Sequence, residues 1–197
     1  MEGAELRPSG TVTFRFTDIE GSTRLWDEHR AVMEVVLARH DLLVRGAVAN
    51  GGGVVFSTGG DGLAAAFGRA SDAVGAAVKA QTLLQQEVWP EPVGLRVRMG
   101  LHTGEAQERD GDYFGPSVNR AARLMAVATG GQIVMSSATA DMVEGRLTDG
   151  VRLTDLGERE LRGVARPERM RRCSSRPPPV WPSGGFGRGI SPISLRS

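Results

Sequence analysis

Apolar and polar residues alternate over Thr11–Thr17, with Val12, Phe14 and Phe16 on one side of the chain, and this period of two predicts a strand. The period then changes. Leu25, Val32, Val35, Val36, Leu42, Leu43 and Ala47 recur at helical spacing between Thr23 and Ala49, until Gly51-Gly52-Gly53 ends the run. Val54–Thr58 and Leu63–Phe67 read as short strands, and Gly59-Gly60-Asp61-Gly62 between them reads as a hairpin turn. Ser71–Val88 is amphipathic at helical period and is closed by Pro90 and Pro92. Leu95–Leu101 alternates again as a strand, and Glu105–Pro116 reads as a polar loop. Ser117–Ala128 is a helix stopped by Gly130-Gly131, followed by a strand at Gln132–Ser136, a short helix at Ala138–Val143 and a strand at Val151–Leu156. Helices alternating with hairpin-linked strands predict an α+β sandwich, with helices over one or both faces of a mainly antiparallel sheet.

The ends of the chain differ from this pattern. Met1–Gly10 is polar and reads as a flexible leader, and Ser174–Ser197 is rich in Pro, Gly, Ser and Arg without a sustained period. Such a segment buries too little apolar surface to offset the entropy of ordering. The expected division is therefore a leader at 1–10, one domain at 11–170 and a disordered tail at 171–197. The whole chain of 197 residues has a net charge of +1, which does not mark a nucleic-acid binder. The charge is uneven: five arginines and no acid follow Met170, which leaves the domain itself negative. A single cysteine, Cys173, excludes an internal disulfide and points to a cytoplasmic location. No apolar run approaches the ~20 residues that cross a bilayer, so no membrane partner is expected.

Candidate chemistry starts at Thr17-Asp18-Ile19-Glu20-Gly21-Ser22-Thr23. A carboxylate at a strand end, then a glycine turn and a helix N-terminus, suits a metal-bound polyphosphate: the carboxylate holds the cation and free N–H groups face the phosphates. The plainer alternative is that Asp18 and Ser22 only cap the helix. Asp61, between glycines at a hairpin tip, is by itself a turn former. If the first strand lies beside that hairpin, however, Asp18 and Asp61 reach one end of the sheet. Two carboxylates there can hold two divalent ions roughly 3.5–4 Å apart. A third group lies in Asp112–Leu124, where Asn119 and Arg123 are four residues apart on one helix face. An amide beside a guanidinium suits a sugar oxygen and a phosphate, although a solvated helix face has the same spacing. His102, in a strand-like run, is assigned a structural role, and His29 and His40 show no zinc pattern.

The stretches Phe16–Thr23, Thr58–Gly62, Arg98–Glu105, Tyr113–Leu124 and Leu156–Pro167 together resemble the class III nucleotidyl cyclase catalytic domain, of the bacterial, actinobacterial type. The resemblance implies a ferredoxin-like palm that works as a head-to-tail homodimer with active sites shared between chains. By position, it implies that Asp18, Asp61 and the Ile19 carbonyl bind two Mg²⁺ or Mn²⁺ ions. Gly21, Ser22 and Thr23 would then hold the terminal phosphates, Asn119 the ribose and Arg123 the α-phosphate, the last two supplied by the partner chain. Arg162 stands where the family often has a lysine on the triphosphate. Asp112 matches a base-reading aspartate that favours adenine, whereas Ser57 stands where a base-reading lysine is usual.

The reaction so implied is conversion of ATP, or GTP if Ser57 relaxes the base choice, to a 3′,5′-cyclic nucleotide and pyrophosphate. The alternative is a weakly active or inactive cyclase-like domain that binds nucleotide and dimerises as a regulatory module. A diguanylate cyclase, suggested by Gly59-Gly60-Asp61-Gly62, is disfavoured by Gly62 and Leu63 and leaves Asn119 and Arg123 unexplained. The family's final apolar strand is not visible after Met170, where Arg171-Arg172-Cys173 leads into the tail, so the sequence predicts the loss of an edge strand.

Overall fold

The first alternating run becomes β1 (Thr11–Ile19), the centre of the fold in a computed structural model that describes residues 7–148 and 150–175. It is followed by α1 (Ser22–Asn50), β2 (Val54–Gly59), β3 (Gly62–Phe67), α2 (Ala70–Gln86) and β4 (Val97–Glu105). β1 pairs antiparallel with β3 on one side and β4 on the other. The order β2-β3-β1-β4 with helices after β1 and β3 is the ferredoxin-like arrangement expected from the sequence. The chain continues through β5 (Gln107–Arg109), β6 (Asp112–Phe114), α3 (Pro116–Val127), β7 (Ile133–Ser136), α4 (Ser137–Val143), β8 (Val151–Arg159) and β9 (Glu168–Ser175). β7, β9 and β8 extend the sheet in that order, and β4–β7 is its parallel pair.

Alternation along β1 divides the core. Ile19 joins Phe67, Met99 and Leu101 under α1, α2 and α4 in the larger cluster. Val12 and Phe14 face the other side, with Ala66, Tyr113 and Ala121 of α3. α3 lies unusually close to the sheet. A Cβ at Gly100 of β4 would stand 2.1 Å from the Met125 backbone nitrogen and 2.5 Å from the Ala121 carbonyl oxygen, so only glycine admits the helix there. On the same side, Leu124, Ala128, Val134, Leu161 and Met170 form a third cluster beneath the end of α3.

Three expectations need correction. Glu105–Pro116 is not a loop: β5 and β6 form a hairpin in a separate two-stranded sheet, turning at Asp110 (φ 55°) and Gly111 (φ 83°). The edge strand is not lost. β9 runs to Ser175, past the expected domain end at 170, and is inserted between β7 and β8. Its signal is hidden because Met170 and Cys173 face opposite sides of the sheet, so neither face shows a repeat, and its arginines sit beside Asp155. The leader is not loose throughout. Arg7 donates to the Gly111 carbonyl, and the Tyr113 hydroxyl donates to the Pro8 carbonyl at 2.7 Å. The rest of the expected leader (1–6) and of the expected tail (176–197) lies outside the described residues.

Two buried polar groups are also notable. Arg15 of β1 is fully buried on the α1/α2 side, with Nε, Nη1 and Nη2 all without hydrogen-bond partners among the described residues; its guanidinium carbon lies 5.8 Å from the centre of the Phe67 ring. Burial pushes its pKa down to about 10. His102 of β4 is buried with Nδ1 2.8 Å from the Ser136 hydroxyl. Burial, then the nearby Arg120 charge, pushes its pKa down to about 4. The imidazole is therefore neutral at pH 7, which agrees with a structural role.

Candidate active site

Asp18 is the penultimate residue of β1, and the β2–β3 hairpin carries Asp61 to the same end of the sheet. Gly59 pairs with Gly62, leaving Gly60 and Asp61 as a two-residue turn. Gly60 has φ 60°, which glycine adopts without steric cost. The Asp61 carboxylate accepts the Ile19 backbone N–H at 3.0 Å through Oδ2. The two aspartates are thus tied together through the residue that follows Asp18.

Arg98, in register with Asp18 on β4, donates to Asp18 Oδ2 from both Nε (2.8 Å) and Nη2. Each carboxylate therefore has Oδ2 engaged, and among the described residues Oδ1 has no hydrogen-bond donor. Among the described residues no three His, Cys, Asp or Glu side chains gather as a metal cluster. Two carboxylates supplemented by the Ile19 carbonyl still form an all-oxygen donor set that fits Mg²⁺ or Mn²⁺.

α1 starts beside these groups at Gly21, which has φ 70° and no side-chain cap. The capping alternative is therefore not what the structure adopts: Asp18 is engaged with Arg98, and the first-turn N–H groups of Ser22 and Thr23 have no capping side chain. An uncapped helix N-terminus favours anionic groups. Phe16, Thr17, Asp18, Ser57, Gly59, Gly62, Leu63, Ala64 and Met125 line a cavity of about 280 Å³. Ser57 thus joins the carboxylate end of the sheet, while Asp112 lies on β6, where its Oδ1 accepts the Tyr113 N–H at 2.7 Å.

The remaining expected residues lie apart. Asn119 and Arg123 are exposed on the outer face of α3, opposite the buried Ser117, Ala121 and Leu124. Neither lines the cavity at Asp18. Arg120, between them in sequence, is held instead by Glu168 of β9 at 3.4 Å. Arg162 is exposed in the β8–β9 loop, where it lines a separate cavity of about 420 Å³ with Arg166. One chain therefore holds these groups in two separate places: the carboxylates at one end of the sheet, and the amide and guanidinium on the outer face of α3.

This division accompanies a match over residues 4–172 to the family described as the adenylate and guanylate cyclase catalytic domain. The chain belongs to the class III nucleotidyl cyclase domain family. An uncharacterized Mycobacterium tuberculosis protein is 45% identical to this cyclase domain over 170 residues, covering 85% of the chain and 57% of the relative. The chain thus spans little more than half the length of that relative. An adenylate cyclase of Neurospora crassa is 31% identical over 217 residues, covering 82% of this chain and 9% of its own. Among solved structures, an adenylate cyclase of Trypanosoma brucei in its monomeric state superposes with a TM-score of 0.77 at 28% identity, over 93% of this chain and 96% of that one. An adenylate/guanylate cyclase/hydrolase from Silicibacter pomeroyi gives 0.71 at 30% identity, over 83% and 95%. No helix among the described residues is long and apolar enough to cross a membrane.

Arg98 escaped the reading by sequence spacing. Its signal is a cross-strand pair of opposite charges, which becomes visible only once the register of β1 and β4 is known.

Proposed function

We propose that this cyclase domain converts ATP to 3′,5′-cyclic AMP and pyrophosphate at sites shared between two copies of the chain. The observation that carries the proposal is the separation of the two half-sites: Asp18 and Asp61 lie at one end of the sheet, while Asn119 and Arg123 stand exposed on α3. A second copy, arranged head to tail, supplies to each carboxylate end the helix face it lacks. Asp18, Asp61 and the Ile19 carbonyl hold the divalent ions, which when bound activate the ribose 3′-hydroxyl and neutralise triphosphate charge.

The chain's own groups position the substrate. The uncapped N-terminus of α1, at Gly21, Ser22 and Thr23, receives the terminal phosphates. Asn119 orients the ribose, and Arg123 offers its planar donors to the charge that builds on the α-phosphate. Arg98 keeps Asp18 in place and adds a fixed positive charge beside it. Arg162 contributes a further cation for the triphosphate. Asp112 accepts from the adenine amino group, with Ser57 as its shorter companion. The reaction is attack of the 3′-hydroxyl on the α-phosphate with pyrophosphate as the leaving group, and most of the acceleration comes from positioning.

The test is an assay of purified protein with ATP and GTP offered separately in Mn²⁺, with products identified by mass. Cyclic AMP supports the proposal, and Asp61→Ala should then abolish turnover while the circular dichroism spectrum stays native. A variant that retains turnover would refute the metal assignment. The short hydroxyl of Ser57 favours a second reading, in which the domain binds nucleotide and dimerises without turnover. A folded dimer that yields no product with either nucleotide would put that reading first.

A further inference from the structure

The two residues proposed to read the base sit on strands that share no backbone ladder. Ser57 is on β2 in the seven-stranded sheet, and Asp112 is on β6 in the two-stranded one. Something other than main-chain pairing must therefore fix their separation. The residue before Ser57 is Phe56, and the residue after Asp112 is Tyr113. Their rings meet edge to face, with centroids 5.0 Å apart and planes at 71°. Both also pack on Phe14 of β1, with ring centroids 5.2 Å away for Tyr113 and 5.9 Å for Phe56. The cluster thus bolts the hairpin to the sheet directly beside the base-reading pair.

Tyr113 has a second attachment. The residue is 3% exposed, and its hydroxyl donates to the Pro8 carbonyl at 2.7 Å. Next to Pro8, Arg7 donates to the carbonyl of Gly111 at the hairpin turn. The segment ahead of β1 therefore holds the hairpin at two points, one on each side of Asp112. A phenylalanine at 113 would fill the same space but could not make the bond to Pro8.

We propose that Tyr113 is a positioning residue for nucleotide selection, setting the distance between Ser57 and Asp112 and linking that distance to the segment Arg7–Pro8. This rests on the cyclase reading, in which Ser57 and Asp112 face the base. Tyr113 itself touches no reacting atom. Its loss should therefore appear in nucleotide affinity and in the ratio of ATP to GTP rather than in the chemical step.

The experiment uses full-length protein as wild type, Tyr113→Phe, Arg7→Ala and the double variant. Fluorescent ATP and GTP analogues are titrated in Mn²⁺, and steady-state KM and kcat are measured in parallel. Each single variant should weaken the ATP analogue by roughly two- to tenfold, the range expected for one lost hydrogen bond. The ATP-to-GTP ratio should narrow while kcat stays near the wild-type value. The double variant should be no weaker than the weaker-binding single, because both changes release the same hairpin. Unchanged affinities, an equal loss for both nucleotides, or additive losses in the double variant would each overturn the proposal. A wild-type protein that binds both analogues but forms no cyclic product ends the cyclase reading, while the titrations still decide the role of Tyr113.

Discussion

Replacing Arg15 with methionine should stabilise the protein. The guanidinium is fully buried, and none of its nitrogens has a hydrogen-bond partner among the described residues. Burial lowers its pKa from the ordinary arginine value to about 10. At 1.36 kcal/mol per pH unit, that difference corresponds to about 3 kcal/mol favouring the unfolded chain while the group is charged in both states. The approach to the Phe67 ring offsets about 1 kcal/mol of this cost. Methionine has a similar length, no charge and a sulfur suited to aromatic contact, so Arg15→Met should gain about 2 kcal/mol. For a domain of this size the Tm should rise by roughly 4–8 °C. The pH dependence gives an internal control. Above about pH 10 the unfolded chain keeps a proton that the folded chain releases, so the wild-type protein gains stability as pH rises beyond that point. The gap between variant and wild type should accordingly be flat from pH 6 to 9 and narrow above about pH 10. Urea unfolding followed by circular dichroism, with calorimetry in parallel, measures both effects. A variant that unfolds at the same or lower urea concentration would refute the reasoning and show that buried water or an ion satisfies the guanidinium.

Other residues give sharper tests of the site and its support. Gly100→Ala places a methyl group against the backbone of α3, so the helix must move outward; stability should fall by about 2 kcal/mol or more, and cyclase turnover should fall further than stability explains, as read by melts and assays on the same samples. His102→Gln should flatten the acid side of the stability profile. In the wild type the unfolded imidazole (pKa near 6.5) binds a proton that the folded one (about 4) refuses, so stability is lost as pH falls from about 6.5 to 4, by about 3 kcal/mol in total. An unchanged profile of urea midpoints in the variant would remove His102 from the account. Ser57→Lys should raise turnover with ATP by lengthening the reach toward the base, and an unchanged ATP-to-GTP preference would place base recognition elsewhere.

Much of the fold was legible because it rests on local periodicity. The alternation of Val12, Phe14 and Phe16 marks β1, and the glycines around Asp61 mark the hairpin that carries it. Those two signals place Asp18 and Asp61 at one end of the sheet. What escaped the sequence depends on partners far along the chain. Arg98 looks like any exposed arginine until β4 is laid beside β1 in register. Arg15 occupies a position whose strand neighbours are apolar, and nothing local announces that its charge is buried. The β5–β6 hairpin turns at Asp110-Gly111, a recognisable pair, but its strands have three residues each and Tyr113 alone is buried. β9 was obscured because its arginines mask a strand that is apolar at one position per face. The spacing of Asn119 and Arg123 places them on one face of α3, and the structure leaves both exposed there.

The placement of β9 also has a consequence for how the protein is made. Among the described residues β8 bonds only to β9, and β9 alone connects it to β7. During synthesis β8 leaves the ribosome before the strand that will anchor it, so it has no place in the sheet until β9 follows. The β2-β3-β1-β4 portion can assemble earlier from residues already available. The last described strand is thus inserted between two that precede it, and this far side of the sheet must remain open until translation has passed Ser175. A pause or premature stop within the β8–β9 loop would strand β8 as an unpaired edge, the kind of surface on which nascent chains aggregate.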